Sequence, residues 1–189
     1  MNVKEYISAL CSSLGAIKEN DINEVVDLLE TIYDERKTIF LCGNGGSAAA
    51  ASHMTNDLAK LTIIKGRTRV RVISLVDNVP LLTAWANDSK YEDCFVEQLK
   101  NLYRPGDVLI GISGSGNSEN VLKAVKYTNE NEGITIGLTG CGGGKLAKLT
   151  QKSIVVPCDN MQRVEDIHLV ICHMVSTLFA QRLKETAKE

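Results

Sequence analysis

Several features are missing from this 189-residue chain, and each absence removes a class of function. No apolar run approaches the roughly 20 residues that a membrane-spanning helix needs. The opening "MNVKEYISAL" has polar and acidic residues where a secretory signal requires an apolar stretch, so a cytoplasmic protein is expected. The six cysteines (11, 42, 94, 141, 158 and 172) form no CxxC pair and no zinc-finger spacing. That pattern fits a reducing compartment better than a disulfide framework, and Cys42 and Cys172, set among apolar neighbours, are expected to be buried thiols. The net charge is only −2 and the pI about 6.0, which gives no global field toward nucleic acid or an anionic membrane. One local basic run, "KGRTRVR" (65–71), reads as a solvated loop entering a strand. No linker or low-complexity stretch divides the chain, so a single domain is expected. The dinucleotide fingerprint GxGxxG and the P-loop GxxxxGK[ST] are both absent, which argues against nicotinamide and nucleotide cofactors.

What the chain does have is a regular alternation. Residues 2–18 and 22–36 read as helices, the second with Ile22, Val25, Val26, Leu28, Leu29 and Ile32 at helical spacing and Asp21 as its N-cap. Short apolar runs then follow: "TIFLC" (38–42), "VRVISL" (70–75), "DVLIGI" (107–112), "ITIGLTG" (134–140) and "SIVV" (153–156). Helical stretches separate them, and a long helix over about 162–186 ends the series. Runs apolar on both faces, alternating with helices, predict a parallel sheet covered on both sides, an α/β architecture in three layers. Ligands in such sheets bind beyond the carboxyl ends of the strands. Two Gly/Ser turns, 43–47 and 113–118, fall there.

The second turn, "SGSGNS", sets Ser113, Ser115 and Ser118 directly before a helix, with Gly114 and Gly116 allowing close backbone approach. A helix N-terminus has unpaired N–H groups and a positive dipole end, which together favour a phosphate monoester. The first turn, "GNGGS", leads into a helix carrying His53 and Asp57. Their i, i+4 spacing puts both on one helix face, where they can share a metal or a proton path, or simply a surface hydrogen bond.

The segments "CGNGGSAAAASH", "AWANDSKYED", "GDVLIGISGSGNSENVLKA", "GLTGCGGGKLA" and "RVEDIHLVICH" occur in an order and spacing that resemble the bacterial phosphoheptose isomerases. These belong to the larger sugar-isomerase, or SIS, group. The resemblance covers about residues 38–180, with the N-terminal helices also in place. It implies a five-stranded, flavodoxin-like parallel sheet with the helices of 1–36 belonging to the same domain as the SIS segment 37–189. It also implies a homotetramer with active sites between subunits. The activity implied is conversion of sedoheptulose 7-phosphate to a heptose 7-phosphate through an enediol, for lipopolysaccharide, capsule or another heptose-containing glycan. Residues matching the family's substrate contacts are Asn44, Gly45, Gly46, Ser47, Asp57, Asn87, Asp88, Ser113, Gly114, Ser115, Ser118 and Glu165. Those matching its zinc ligands are His53, Asp57, Glu165 and His173, with Asp57, Glu165 and His173 as the candidate proton-transfer groups.

Four departures from the family pattern bear on the chemistry. Asp57 stands where the family usually has glutamate, Glu165 where many members have glutamine, Ala50 where an acid is common, and Leu61 where many have arginine. The shortened Asp57 shifts the expected base role toward Glu165. A set of two histidines and two carboxylates is harder than usual, so Mn²⁺ or Fe²⁺ would compete with Zn²⁺. Glu165 and His173 are eight residues apart, about 12 Å along an ideal helix. If both bind one ion, either Glu165 lies on a frayed helix start or the two come from different subunits. His168 reads as a structural or supporting residue. Two alternatives to the heptose isomerase remain open at this point: a non-catalytic SIS protein that binds a phosphosugar or a protein partner, and an isomerase of another phosphosugar.

Overall fold

The computed structural model describes residues 2–187. Helices α1 (Val3–Gly15) and α2 (Glu19–Asp34) precede strand β1 (Thr38–Gly43). Then come α3 (Gly46–Leu61), β2 (Arg71–Ser74), α4 (Val79–Asp88), a 3₁₀ turn (Tyr91–Asp93), α5 (Val96–Leu102) and β3 (Val108–Ser113). The chain continues through α6 (Glu119–Glu130), β4 (Ile134–Thr139), α7 (Leu146–Leu149), β5 (Lys152–Val155) and α8 (Met161–Thr186). The strands pair in parallel in the order β2-β1-β3-β4-β5. This is the flavodoxin-like order, with its topological switch point between β1 and β3.

The three inner strands show why the order is stable. Every residue of β1 and β3 is buried, as are all but the first of β4. They are therefore covered on both faces by separate apolar layers. On one face, Val25, Val26 and Leu29 of α2, Ala51, Met54 and Leu58 of α3, and Ile167, Ile171 and Phe179 of α8 pack against Ile39, Leu41 and Ile110. On the other, Leu99 of α5 and Val121, Leu122 and Val125 of α6 pack against Phe40, Cys42 and Leu109. Cys42 and Cys172 are buried free thiols, as expected. Among the described residues no helix is long and apolar enough to cross a membrane.

Some expectations need correction. Strand β2 alternates between exposed and half-buried positions, because it lies at a sheet edge and lacks the double cover read into "VRVISL". Asp21 does not cap α2. The helix starts at Glu19, and its N-cap, Lys18, makes no side-chain capping bond. Side-chain N-caps do form at Asn78 and Asn160, before α4 and α8, and at Asn2, which accepts from the Glu5 N–H while Glu5 accepts from the Asn2 N–H, a reciprocal capping box for α1. Helix α1 buries none of its own residues. It touches α8 through the Tyr6 hydroxyl, which donates to Asp166 Oδ2 at 2.5 Å.

His168 lies on the inner side of α8 with no exposed surface; neither ring nitrogen makes a well-formed hydrogen bond within the described residues, and the Thr139 backbone beside it only partly offsets the cost of burial. It is a core residue. Burial holds its pKa down to about 4 against an ordinary value of 6.5, so the folded state binds it neutral. Its contribution is fully present above pH 6.5 and is lost as pH falls toward 4, because only the unfolded chain takes up the proton there. At its limit the effect is about 3 kcal/mol. Thermal melts across this window should fall less steeply for His168→Leu than for the wild type; equal slopes would show that other groups carry the acid sensitivity.

Candidate active site

Both Gly/Ser turns lie side by side at the carboxyl edge of the sheet, since β1 and β3 are direct neighbours with Gly43 paired to Ile112. In the second turn, Ser113 Oγ and Ser118 Oγ are 3.0 Å apart. Ser118 is the N-cap of α6 yet makes no capping bond with its side chain. The N–H groups of Ser118, Glu119 and Asn120 accordingly find no acceptor among the described residues. Three free donors and two hydroxyls converge at the positive end of a 12-residue helix, which is the arrangement an anion needs. The turn is held from behind by the loop 140–145. Gly140 N–H donates to Gly114 O at 3.0 Å and Leu146 N–H to Gly116 O at 2.9 Å. The backbones are so close that a Cβ on Gly116, whose φ is +65°, would lie 2.2 Å from Gly143 O. Only glycine fits.

The first turn bends at Gly45, φ +54°, and starts α3 at Gly46. Glu165 meets it there: a Cβ on Gly46 would lie 2.3 Å from Glu165 Oε2. The glycine leaves room for the carboxylate against the first residue of α3, where the helix dipole favours a negative charge. Ser47, next in the helix, is buried.

His53, Asp57 and His173 form a second cluster, with one ligand atom from each lying within 4.8 Å of the others. The two Nε2 atoms are 2.8 Å apart, and Asp57 Oδ2 is 3.5 Å from that of His53 and 3.8 Å from that of His173. Donors around a tetrahedral ion bound at about 2.0–2.2 Å are spaced by similar distances. Two imidazoles and a carboxylate therefore fit a divalent metal. The expected fourth ligand, Glu165, is not among the cluster's members. It is the fifth residue of α8, which runs unbroken from Met161, so a frayed start does not bring it back, and the alternative that stands is that Glu165 and His173 meet one ion from different subunits. Two turns of helix separate it from His173, and its carboxylate belongs to the glycine turn.

Asn87 and Asp88 end α4 in solvent, Asn87 Nδ2 donating to Asp88 Oδ1 at 2.7 Å. No described contact ties them to either turn. Of the departures, Ala50 is buried in the α3 layer of the core, whereas Leu61 is 41% exposed. Residue reasoning missed the polar group that joins the two turns. Asn44 and Asn120 exchange amide hydrogen bonds of 2.9 and 2.8 Å, and the Tyr91 hydroxyl donates to Asn44 Oδ1 at 2.7 Å. These partners are 76 and 47 residues apart, so no local spacing exposes them.

If the second turn holds phosphate, replacing Ser115 and Ser118 by alanine removes two hydroxyls whose bonds within the fold are confined to the turn itself, Ser115 Oγ accepting the Asn117 N–H and Ser118 Oγ pairing with Ser113 Oγ. The melting temperature should stay close to wild type while KM for a phosphorylated sugar rises, by about 1.5–3 kcal/mol for each lost charge-assisted bond. Unchanged steady-state kinetics in the double variant would take phosphate away from this turn.

Comparison with known proteins agrees with this geometry. Residues 4–140 match the SIS domain family. The chain is 39% identical over 171 residues to a phosphoheptose isomerase of Geotalea daltonii, covering 90% of this chain and 88% of that one. It is 39% identical over 175 residues to one of Helicobacter pylori, covering 91% and 90%. Among solved structures, a phosphoheptose isomerase from Francisella tularensis superposes with a TM-score of 0.86 at 26% identity, covering 95% of this chain and 96% of that one. The corresponding structure from Neisseria gonorrhoeae gives 0.83 at 30% identity, covering 94% and 98%. With the parallel sheet, the paired turns and the His–Asp–His cluster all in place, this chain is a member of the phosphoheptose isomerase family of SIS-domain proteins.

Proposed function

We propose that the chain is a phosphosugar aldose–ketose isomerase that converts sedoheptulose 7-phosphate to a heptose 7-phosphate, a step toward heptose-containing glycans. The observation that carries the reading is an anion turn set beside a glycine turn bearing a carboxylate, with a His–Asp–His cluster farther along the same two helices, α3 and α8. The reaction transfers a proton between C1 and C2 through a cis-enediol, so it needs a base at carbon and an acid or polarising group at oxygen. Glu165, resting on Gly46, is the base. His173 and Asp57, on facing helices α8 and α3, serve proton transfer at the sugar oxygens; about 12 Å of straight helix separates His173 from Glu165 of the same chain, so the pair that meets one substrate comes from neighbouring subunits. Ser113, Ser115, Ser118 and the free N–H groups of α6 hold the distant phosphate, so that its binding energy positions the reacting carbons. His53, Asp57 and His173 would hold a divalent metal, Zn²⁺ with Mn²⁺ or Fe²⁺ as competitors, and such an ion supplies Lewis-acid stabilisation of negative charge on oxygen.

The active unit is a homotetramer. Val3, Ile7, Ile63, Ile73 and Val79 are apolar yet 36–75% exposed, and neither α1 nor α4 buries a residue within the chain. Oligomers favour closed symmetry. Light scattering at micromolar protein should give four times the chain mass; a fully active monomer would refute it.

The base assignment is tested by two substitutions. Glu165→Gln keeps the shape and should lower kcat by about 10²-fold or more, the scale of a lost general base. Asp57→Glu restores the usual family residue and should be tolerated. The reverse ranking would return the base role to Asp57. Elemental analysis of the purified protein should find a divalent metal that His53→Ala loses; metal-free protein with full activity would end the metal assignment.

A further inference from the structure

The amide group between the two turns is more completely bonded than a lining residue needs to be. Asn120 is 3% exposed, and every hydrogen-bonding position of its side chain is taken. Its Oδ1 accepts from Asn44 Nδ2 at 2.9 Å and from the Val121 N–H at 3.0 Å. Its Nδ2 donates to Asn44 Oδ1 at 2.8 Å and to Cys94 Sγ at 3.5 Å. An amide has two donors and two acceptor lone pairs, so none is left for a ligand. The Asn44 amide is almost as fully bonded: its Oδ1 takes both the Asn120 amide and the Tyr91 hydroxyl, 2.7 Å away. What remains to Asn44 for a substrate is its backbone and one amide hydrogen.

Tyr91 is itself anchored to α6. Its 3₁₀ turn is tied down by Lys123, whose ammonium bonds Glu92 at 2.9 Å and Asp93 at 3.0 Å. The two residues that follow, Cys94 and Phe95, are buried in the same apolar layer as Val121 and Leu122. Both partners of Asn44 therefore belong to the α6 side of the sheet, which carries the phosphate turn. Asn44 belongs to the turn after β1.

We propose that Tyr91 and Asn120 are positioning residues that clamp the Asn44 carboxamide and so fix the glycine turn of residues 43–46 at a set distance from the phosphate turn of residues 113–118. A substrate spanning both turns feels this distance, whereas a ligand filling only one turn does not. The inference rests on the phosphosugar reading above and adds two side chains to it; the backbone N–H of Asn120 faces the phosphate, whereas its side chain faces Asn44.

The test compares two ligands by equilibrium binding: sedoheptulose 7-phosphate, which spans both turns, and inorganic phosphate, which occupies one. Tyr91→Phe removes a single oxygen from a half-exposed ring and should preserve the fold. Asn120→Ala removes both amide bonds to Asn44 and adds no charge beside the phosphate turn. Each should weaken sedoheptulose 7-phosphate at least tenfold while changing the affinity for phosphate less than twofold. Because both act through Asn44, the double variant should be no weaker than the worse single one. Retention of sedoheptulose 7-phosphate affinity within twofold in Tyr91→Phe overturns the clamp. So does a parallel loss of phosphate affinity, which would mean that the phosphate turn itself had been damaged. A wild type that binds the sugar phosphate without converting it would contradict the isomerase reading, yet leave this comparison intact.

Discussion

The parallel pairing of β1 with β3 is the constraint on which the rest of the molecule depends. Cys42 pairs with Gly111 and Gly43 with Ile112, so the two chains leave the sheet at the same level, about 4.8 Å apart. They then part. Helix α3 packs into the layer on one face and α6 into the layer on the other. Separation of the helices opens a crevice between their N-termini, and both turns face it. The Asn44–Asn120 exchange bridges that crevice, and the glycines at 46 and 116 let a carboxylate and a neighbouring backbone approach where a Cβ would block them. A register shift of one residue between β1 and β3 would separate these features at once.

Helix α8 distributes the chemistry along its length. Glu165 meets the α3 start, His168 and Ile171 face the core, and His173 reaches His53 and Asp57. Because the helix is continuous over 26 residues, the carboxylate and the His cluster are held as two separate stations. One is a carboxylate set against a helix N-terminus, the other a donor set able to hold a cation. The short Asp57 suits that division, since it reaches both imidazoles while remaining mostly buried, at 13% side-chain exposure.

Much of this was legible in the sequence where the signal is local. Runs such as "TIFLC" and "DVLIGI" announce buried strands, the Gly/Ser turns mark the sheet edge, and the spacing of His53 and Asp57 fixes their shared face. Edge position was not legible, since "VRVISL" has the composition of an inner strand. Glu165 shows the same limit. Its identity pointed to a carboxylate in the site, but its partner, Gly46, is distant in sequence and contributes only by lacking a side chain. Asn120 and Tyr91 escaped because an amide pair depends on which strands are neighbours, which no periodicity encodes. His168 is the opposite case: a histidine near candidate ligands that burial turns into a neutral core residue.

The central claim is that this site moves a proton between adjacent carbons of a phosphorylated sugar, beyond merely holding the sugar. Nuclear magnetic resonance of sedoheptulose 7-phosphate incubated with the metal-loaded protein in D₂O reads this directly. The account predicts formation of an aldose 7-phosphate carrying solvent deuterium at C2. A ketose that binds, yet shows neither conversion nor exchange of its C1 protons, would contradict it.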